Sequence, residues 1–147
     1  MARRVPQLLL AVALASFMLP FFALVREGQQ LLQFTGTELV AGTTFQPGSP
    51  FAALGHVRPQ PLAVVAFGAA AAAWLLSLAR PRWARAVAAA LAALAALSLG
   101  RLRLPLRIEA RPGAGYYLAM LSVLAAAGLL AAFLLRAKPS RPPTETG

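Results

Sequence analysis

The chain has 147 residues, 59% hydrophobic and 12% charged, about half the charged fraction of an ordinary soluble domain, and its mean hydropathy is +0.68. Fourteen Lys and Arg stand against four acids (Glu27, Glu38, Glu109 and Glu145), giving a net charge of +10, with one His, no Asp and no Cys. A disulfide framework, a thiolate nucleophile and a Cys-ligated metal are therefore excluded, and the absence of a basic-aromatic face argues against nucleic acid as the reason for the charge.

Crossing a bilayer takes about 20 mostly apolar residues, because a helix rises 1.5 Å per residue across roughly 30 Å of hydrocarbon. Residues 5–25 (VPQLLLAVALASFMLPFFALV) contain no ionisable side chain and qualify as a first span. Arg3 and Arg4 before the run, with Ala13-Leu14-Ala15 inside it, also fit a signal peptide, but the run is too long for a typical apolar core of one. Pro20 removes one backbone donor, so a kink near the end of this span is expected.

A first outer segment, 26–60, follows. Residues 22–26 and 30–35 flank Glu27-Gly28-Gln29, the pattern of a β-hairpin whose glycine relieves the strained position. TELVAG after Gly36 reads as a short helix or a strand, and QPGSP is loop chemistry. His56 stands alone here; a solvated side chain is the plain reading, a metal-binding or proton-sensing role the sharper one. With Glu27 and Glu38 it forms no recognised ligand set.

Spans two (61–79) and three (83–100) are rich in alanine, notably over 68–73 and 84–96. In lipid, small-residue faces permit the close approach that packs helices together, so these two are expected to form the tight centre. Arg80-Pro81-Arg82-Trp83 is a short turn between antiparallel neighbours, and Arg85 lies close enough to the span's end to snorkel. Trp83, Tyr116 and Tyr117 suit interfacial anchoring, whereas Trp74, inside its span, suits packing.

Residues 101–113 read RLRLPLRIEARPG, with Arg101, Arg103, Arg107 and Glu109 alternating against Leu102, Leu104, Leu106 and Ile108. Period two predicts a strand, and Pro105 makes it an edge or broken one. Either its leucines cover helix ends while the arginines are solvated, or Arg101, Arg103, Arg107 and Arg111 contact acidic lipid headgroups or an acidic partner, since Arg pairs bidentately with phosphate and carboxylate. Span four covers 114–135, and the proline-rich tail 136–147 is expected to be disordered.

The predicted fold is membrane α-helical: a four-transmembrane-helix bundle, one domain over 1–135, with a small extracytoplasmic β-sheet of about three strands from the two outer loops. Cytoplasmic loops carry the Lys and Arg excess. Arg3, Arg4, Arg80, Arg82, Arg85, Arg136, Lys138 and Arg141 on one side outnumber Arg26, Arg58, Arg101, Arg103, Arg107 and Arg111 on the other. Both termini are accordingly expected in the cytoplasm.

Residues 19–42 (LPFFALVREGQQLLQFTGTELVAG) resemble a segment of uncharacterised small bacterial four-span membrane proteins. The shared motifs are Leu19-Pro20-Phe21 closing span one, the Gly28-Gln29 turn and Phe34-Thr35-Gly36, and GYYLAML at 115–121 is similar too. Members often have a Cys before the turn, where this chain has Arg26, and some carry an N-terminal zinc ribbon that this sequence lacks, so no metal binding is implied. The resemblance covers about a third of the chain. It implies a bacterial inner-membrane location and brings no activity with it.

Catalysis needs a nucleophile, an acid and a base within reach of one another, and one His with four Glu supplies no such set, so an enzyme is not expected. No span holds a His for haem or chlorophyll, no glycine loop cradles phosphate, and no cofactor is expected. The span cores lack the ionisable residues of a coupled pump. Gln7, Ser16, Ser77, Ser98 and Ser122 are read as helix–helix hydrogen-bonding groups. The leading expectation is an accessory or scaffolding subunit of a larger membrane complex, docking other membrane proteins through helix faces and outer loops and touching anionic lipid headgroups. The alternative is a small transport or lipid- or solute-binding protein; a polar-lined cavity open to one side would favour it, and a dry alanine interior the subunit. Sensing through the outer sheet is the weakest reading, because no inner output domain follows.

Overall fold

The computed structural model of the chain describes residues 4–45, 47–48, 52, 55–103 and 109–136. Helix α1 spans Val5–Ser16, with proline in its first turn, where the missing N–H would have had no partner anyway. It is 12 residues long, about 18 Å. The expected single helix over 5–25, kinked at Pro20, is therefore corrected. Three tight bonds close α1, from the N–H groups of Phe17, Met18 and Leu19 to the carbonyls of Leu14, Ala15 and Ser16 at 3.2, 3.0 and 3.0 Å. Leu19 precedes a proline and is disfavoured in helical geometry, and Pro20 opens strand β1 (Pro20–Arg26), a position that tolerates its lack of a donor.

Strand β1 pairs antiparallel with β2 (Gln29–Thr35) through the expected hairpin. Glu27 and Gly28 both have positive φ, 53° and 79°, which matches the twist of the flanking strands. Register slips between Pro20 and Phe22, leaving Phe21 as an extra residue, and this bulge lets the adjacent Phe21 and Phe22 both be buried. On the other side of β1 lies β5 (Glu109–Pro112), so the sheet order is β2-β1-β5. The 101–113 segment does supply the third strand, though Arg101 is helical rather than the start of an alternating strand, and the alternation over 104–108 lies outside the described residues.

TELVAG resolves as helix α2 (Gly36–Ala41). Thr35 Oγ1 accepts from the Glu38 N–H at 3.3 Å and the Thr35 N–H donates to Glu38 Oε2 at 2.8 Å, a reciprocal cap that selects helix over strand. Strands β3 (Thr43–Thr44) and β4 (His56–Val57) form a second small ladder.

Helices α3 (Pro61–Leu78), α4 (Arg82–Arg101) and α5 (Ala114–Arg136) follow the predicted spans closely, and all three are long and apolar enough to cross a membrane. Each long helix packs against its neighbours, and α1 lies against α5 and α3. The shared interior is almost wholly alanine: Ala69, Ala70 and Ala73 of α3 and Ala88, Ala92, Ala95 and Ala96 of α4 meet Leu10 and Ala13 of α1 and Val123 and Ala126 of α5. Trp74 packs at the margin of this core. The outward faces are apolar as well: Leu8, Leu75, Leu97 and Leu121, one each from α1, α3, α4 and α5, are 60–65% exposed. Helices apolar all round belong in lipid or in a larger core.

Candidate functional site

The two ends of the helical body differ. At the sheet end an aromatic layer closes the interior. Phe17, Phe21 and Phe34 are fully buried, the Phe17 ring lies 4.7 Å from Phe21 and 5.1 Å from Phe67, and Phe22 lies 5.5 Å from Tyr116. Such tilted and edge contacts add to the burial itself. The Tyr116 hydroxyl donates to the Leu99 carbonyl at 2.9 Å, a carbonyl in the last turn of α4 that also accepts from the Leu102 N–H at 3.0 Å, so the side chain ties α5 to the capped end of α4.

The arginines singled out from the sequence fringe this end. Arg101 is the last residue of α4, where the helix dipole favours a cation; Arg103 follows it, and Arg111 lies in β5 opposite Ala23. All three are exposed, and none of their side chains bonds to another described residue; Arg107 lies outside the described residues. His56 is exposed on β4, opposite Thr44.

The opposite end, where α1 begins and α5 stops, is open. A half-open cavity of about 670 Å³ lies there, within the ordinary range of small-ligand sites. Its apolar wall is Pro6 of α1, Leu78 of α3 and Leu130 and Phe133 of α5; its polar lining is Gln7, Ser77, Arg80, Arg85 and Arg136. Gln7 Nε2 donates to the Ser77 carbonyl at 2.9 Å, so α1 satisfies one of the unpaired acceptors ending α3. This is the helix–helix bond expected of Gln7. Ser16 and Ser77 act differently, each hydroxyl donating back within its own helix, to Ala13 and Trp74, at 2.6 Å.

Arg85 Nη2 donates to the Arg80 carbonyl at 3.0 Å, which folds its side chain back over the turn. Arg85 is half-buried, while Arg80 and Arg136 are exposed. The described acids, Glu27, Glu38 and Glu109, all belong to the hairpin, α2 and β5 at the sheet end. Among the described residues, therefore, three guanidinium groups share one cavity with no carboxylate beside them. The cavity offers fixed positive charge and N–H donors around an apolar wall, and its described lining residues include no His, Asp, Glu or Cys.

Sequence reasoning placed Arg80, Arg85 and Arg136 on one side of the membrane but did not assemble them. The short turn signals that Arg80 and Arg85 are close; Arg136 joins them only because α5 returns antiparallel. No protein-family model, no curated protein and no solved structure matches this chain.

Proposed function

We propose that this chain is a non-enzymatic, multi-pass membrane protein that binds an amphiphilic ligand in the arginine-rimmed cavity at the end opposite its sheet. The observation that carries the reading is the pairing of an apolar wall with a cationic rim that no carboxylate among the described residues compensates, in a cavity of about 670 Å³. Exposed leucines on every long helix support a lipid surround. The arginines at the cavity end support its placement in the cytoplasm of a bacterial inner membrane, with the sheet outside, as does the resemblance of residues 19–42 to small bacterial four-span proteins. In this reading α1 makes the first crossing with its 12 helical residues and the turn after them, and the sheet sits partly sunk over it as the fourth position of a four-helix bundle.

The test is native mass spectrometry of the full chain extracted from its membrane in lipid nanodiscs. A stoichiometric small molecule or lipid is expected on the wild type and is expected to be lost from Ala79→Trp, which adds bulk in the turn lining the cavity rather than in the core. A wild type that carries nothing, or a ligand that Ala79→Trp retains in full, overturns the reading.

A second reading, the accessory subunit, is supported by β2. Its seven residues, QQLLQFT, hold no charge and no proline, although it is an edge strand, whereas the other edge, β5, carries Glu109, Arg111 and Pro112. Edges are normally protected by such residues, and an unprotected one is a template for a partner's strand; Arg101, Arg103, Arg107 and Arg111 would suit an acidic partner protein. Mild-detergent solubilisation with a C-terminal tag and native electrophoresis tests it. Stoichiometric co-migration with a larger membrane assembly supports the subunit, and migration alone removes it.

A further inference from the structure

We infer that the group anchoring the ligand is a phosphate, gripped by Arg80, Arg85 and Arg136; this rests on the cavity reading above and adds the charge and chemistry of what the cavity takes. Arg80 and Arg136 have an explanation within the helices, because Arg136 is the last residue of α5 and Arg80 follows the C-cap of α3, where a cation is favoured by the helix dipole. Arg85 has none. It lies in the first turn of α4, which carries no acidic residue and no side-chain cap and already holds Arg82, so its charge opposes the dipole there. The residue is nevertheless half-buried and lines the cavity, its guanidinium tied to the turn by an exposed bond to the Arg80 carbonyl. One of its five N–H groups is used in that bond, and the others meet no partner among the described residues.

An anion in this position offsets both the crowding of three like charges and the unfavourable placement of Arg85. Phosphate suits the set better than a carboxylate, because it offers more acceptor oxygens to the three planar guanidinium forks that line the cavity. Depth points the same way. The cavity lies at the ends of three membrane-length helices, the level at which headgroup phosphates stand in a bilayer. The wall of Pro6, Leu130 and Phe133 would take the apolar part of a phosphate ester. A phospholipid of that leaflet and a free phosphate compound share this chemistry, and the experiment separates them.

The full chain is reconstituted in nanodiscs of phosphatidylcholine with and without phosphatidylglycerol and examined by native mass spectrometry. In parallel, the phosphatidylcholine discs are titrated with inorganic phosphate while thermal unfolding is followed. Preferential retention of one phosphatidylglycerol identifies a lipid phosphate. A midpoint that rises with inorganic phosphate but not with sodium chloride of equal ionic strength identifies a free one. In either case Arg85→Gln is expected to weaken the effect roughly tenfold, the loss of one charge-assisted hydrogen bond. Arg136→Gln, exposed at a helix end and safe for folding, is expected to weaken it as well, and Arg58→Gln, exposed just after β4 at the sheet end, is expected to change nothing. Neither retention nor a shift, or variants at the cavity and at the sheet that behave alike, overturns the phosphate. A neutral ligand retained in the cavity overturns it too, while leaving the cavity reading intact, since that reading fails only if nothing is bound or Ala79→Trp displaces nothing.

Discussion

Gly115, in the first turn of α5, marks how closely the chain's parts approach. A Cβ built there would stand 2.8 Å from the Ser16 carbonyl oxygen and 2.9 Å from the Leu19 Cβ, so a bare hydrogen is what allows α5 to start against the end of α1. Gly115→Ala is expected to cost about 1–3 kcal/mol, the usual range for overpacking, seen as a lower thermal midpoint in detergent. Gly68→Ala, whose added methyl meets nothing within 4 Å, serves as control and is expected to hold or raise the midpoint, because alanine is the better helix former. Neither expectation is visible in the sequence, where both glycines sit in apolar surroundings. Arg85 makes the same point: its snorkelling is predictable from its place near a helix end, but its partner, the Arg80 carbonyl, is supplied by the shape of the turn.

At the scale of elements, the apolar run over 5–25 shows where hydropathy stops being informative. A uniformly apolar stretch has no period to separate helix from strand, so α1 and β1 read as one span. Proline chemistry at Leu19-Pro20 and the pairing of β1 on both edges divide them. The hairpin was legible because Glu27-Gly28 is a local turn signal. The sequence alone leaves TELVAG open between helix and strand, although the Thr35…Glu38 spacing is that of a capping box. Thr35→Ala is expected to remove about 1 kcal/mol of stability. The loss should propagate, since the Leu39 carbonyl of α2 holds the Gln60 N–H at 2.8 Å at the entrance to α3. Thermal unfolding of Thr35→Ala beside Thr35→Ser, which keeps the hydroxyl, checks this: the serine variant should stay near wild type.

The whole molecule has two unlike ends, one closed by aromatic rings and a sheet, the other open and rimmed by arginine. The chain lacks cysteine, so single cysteines report orientation without background. Gln29→Cys in the hairpin is expected to react with a membrane-impermeant maleimide on intact cells, and Arg82→Cys at the α3–α4 turn only after permeabilisation. The reverse pattern would invert the proposed orientation, and equal reactivity would abolish it. The sequence by itself determined the three membrane-length helices, the hairpin and the exclusion of cysteine chemistry, because hydropathy and turn residues act over a few neighbouring positions. The end of α1, the joining of β5 to β1 and the cavity were decided by tertiary structure. Antiparallel packing brings together groups as distant as Gln7 and Ser77, 70 positions apart, and no local pattern encodes which helix end will stand beside which.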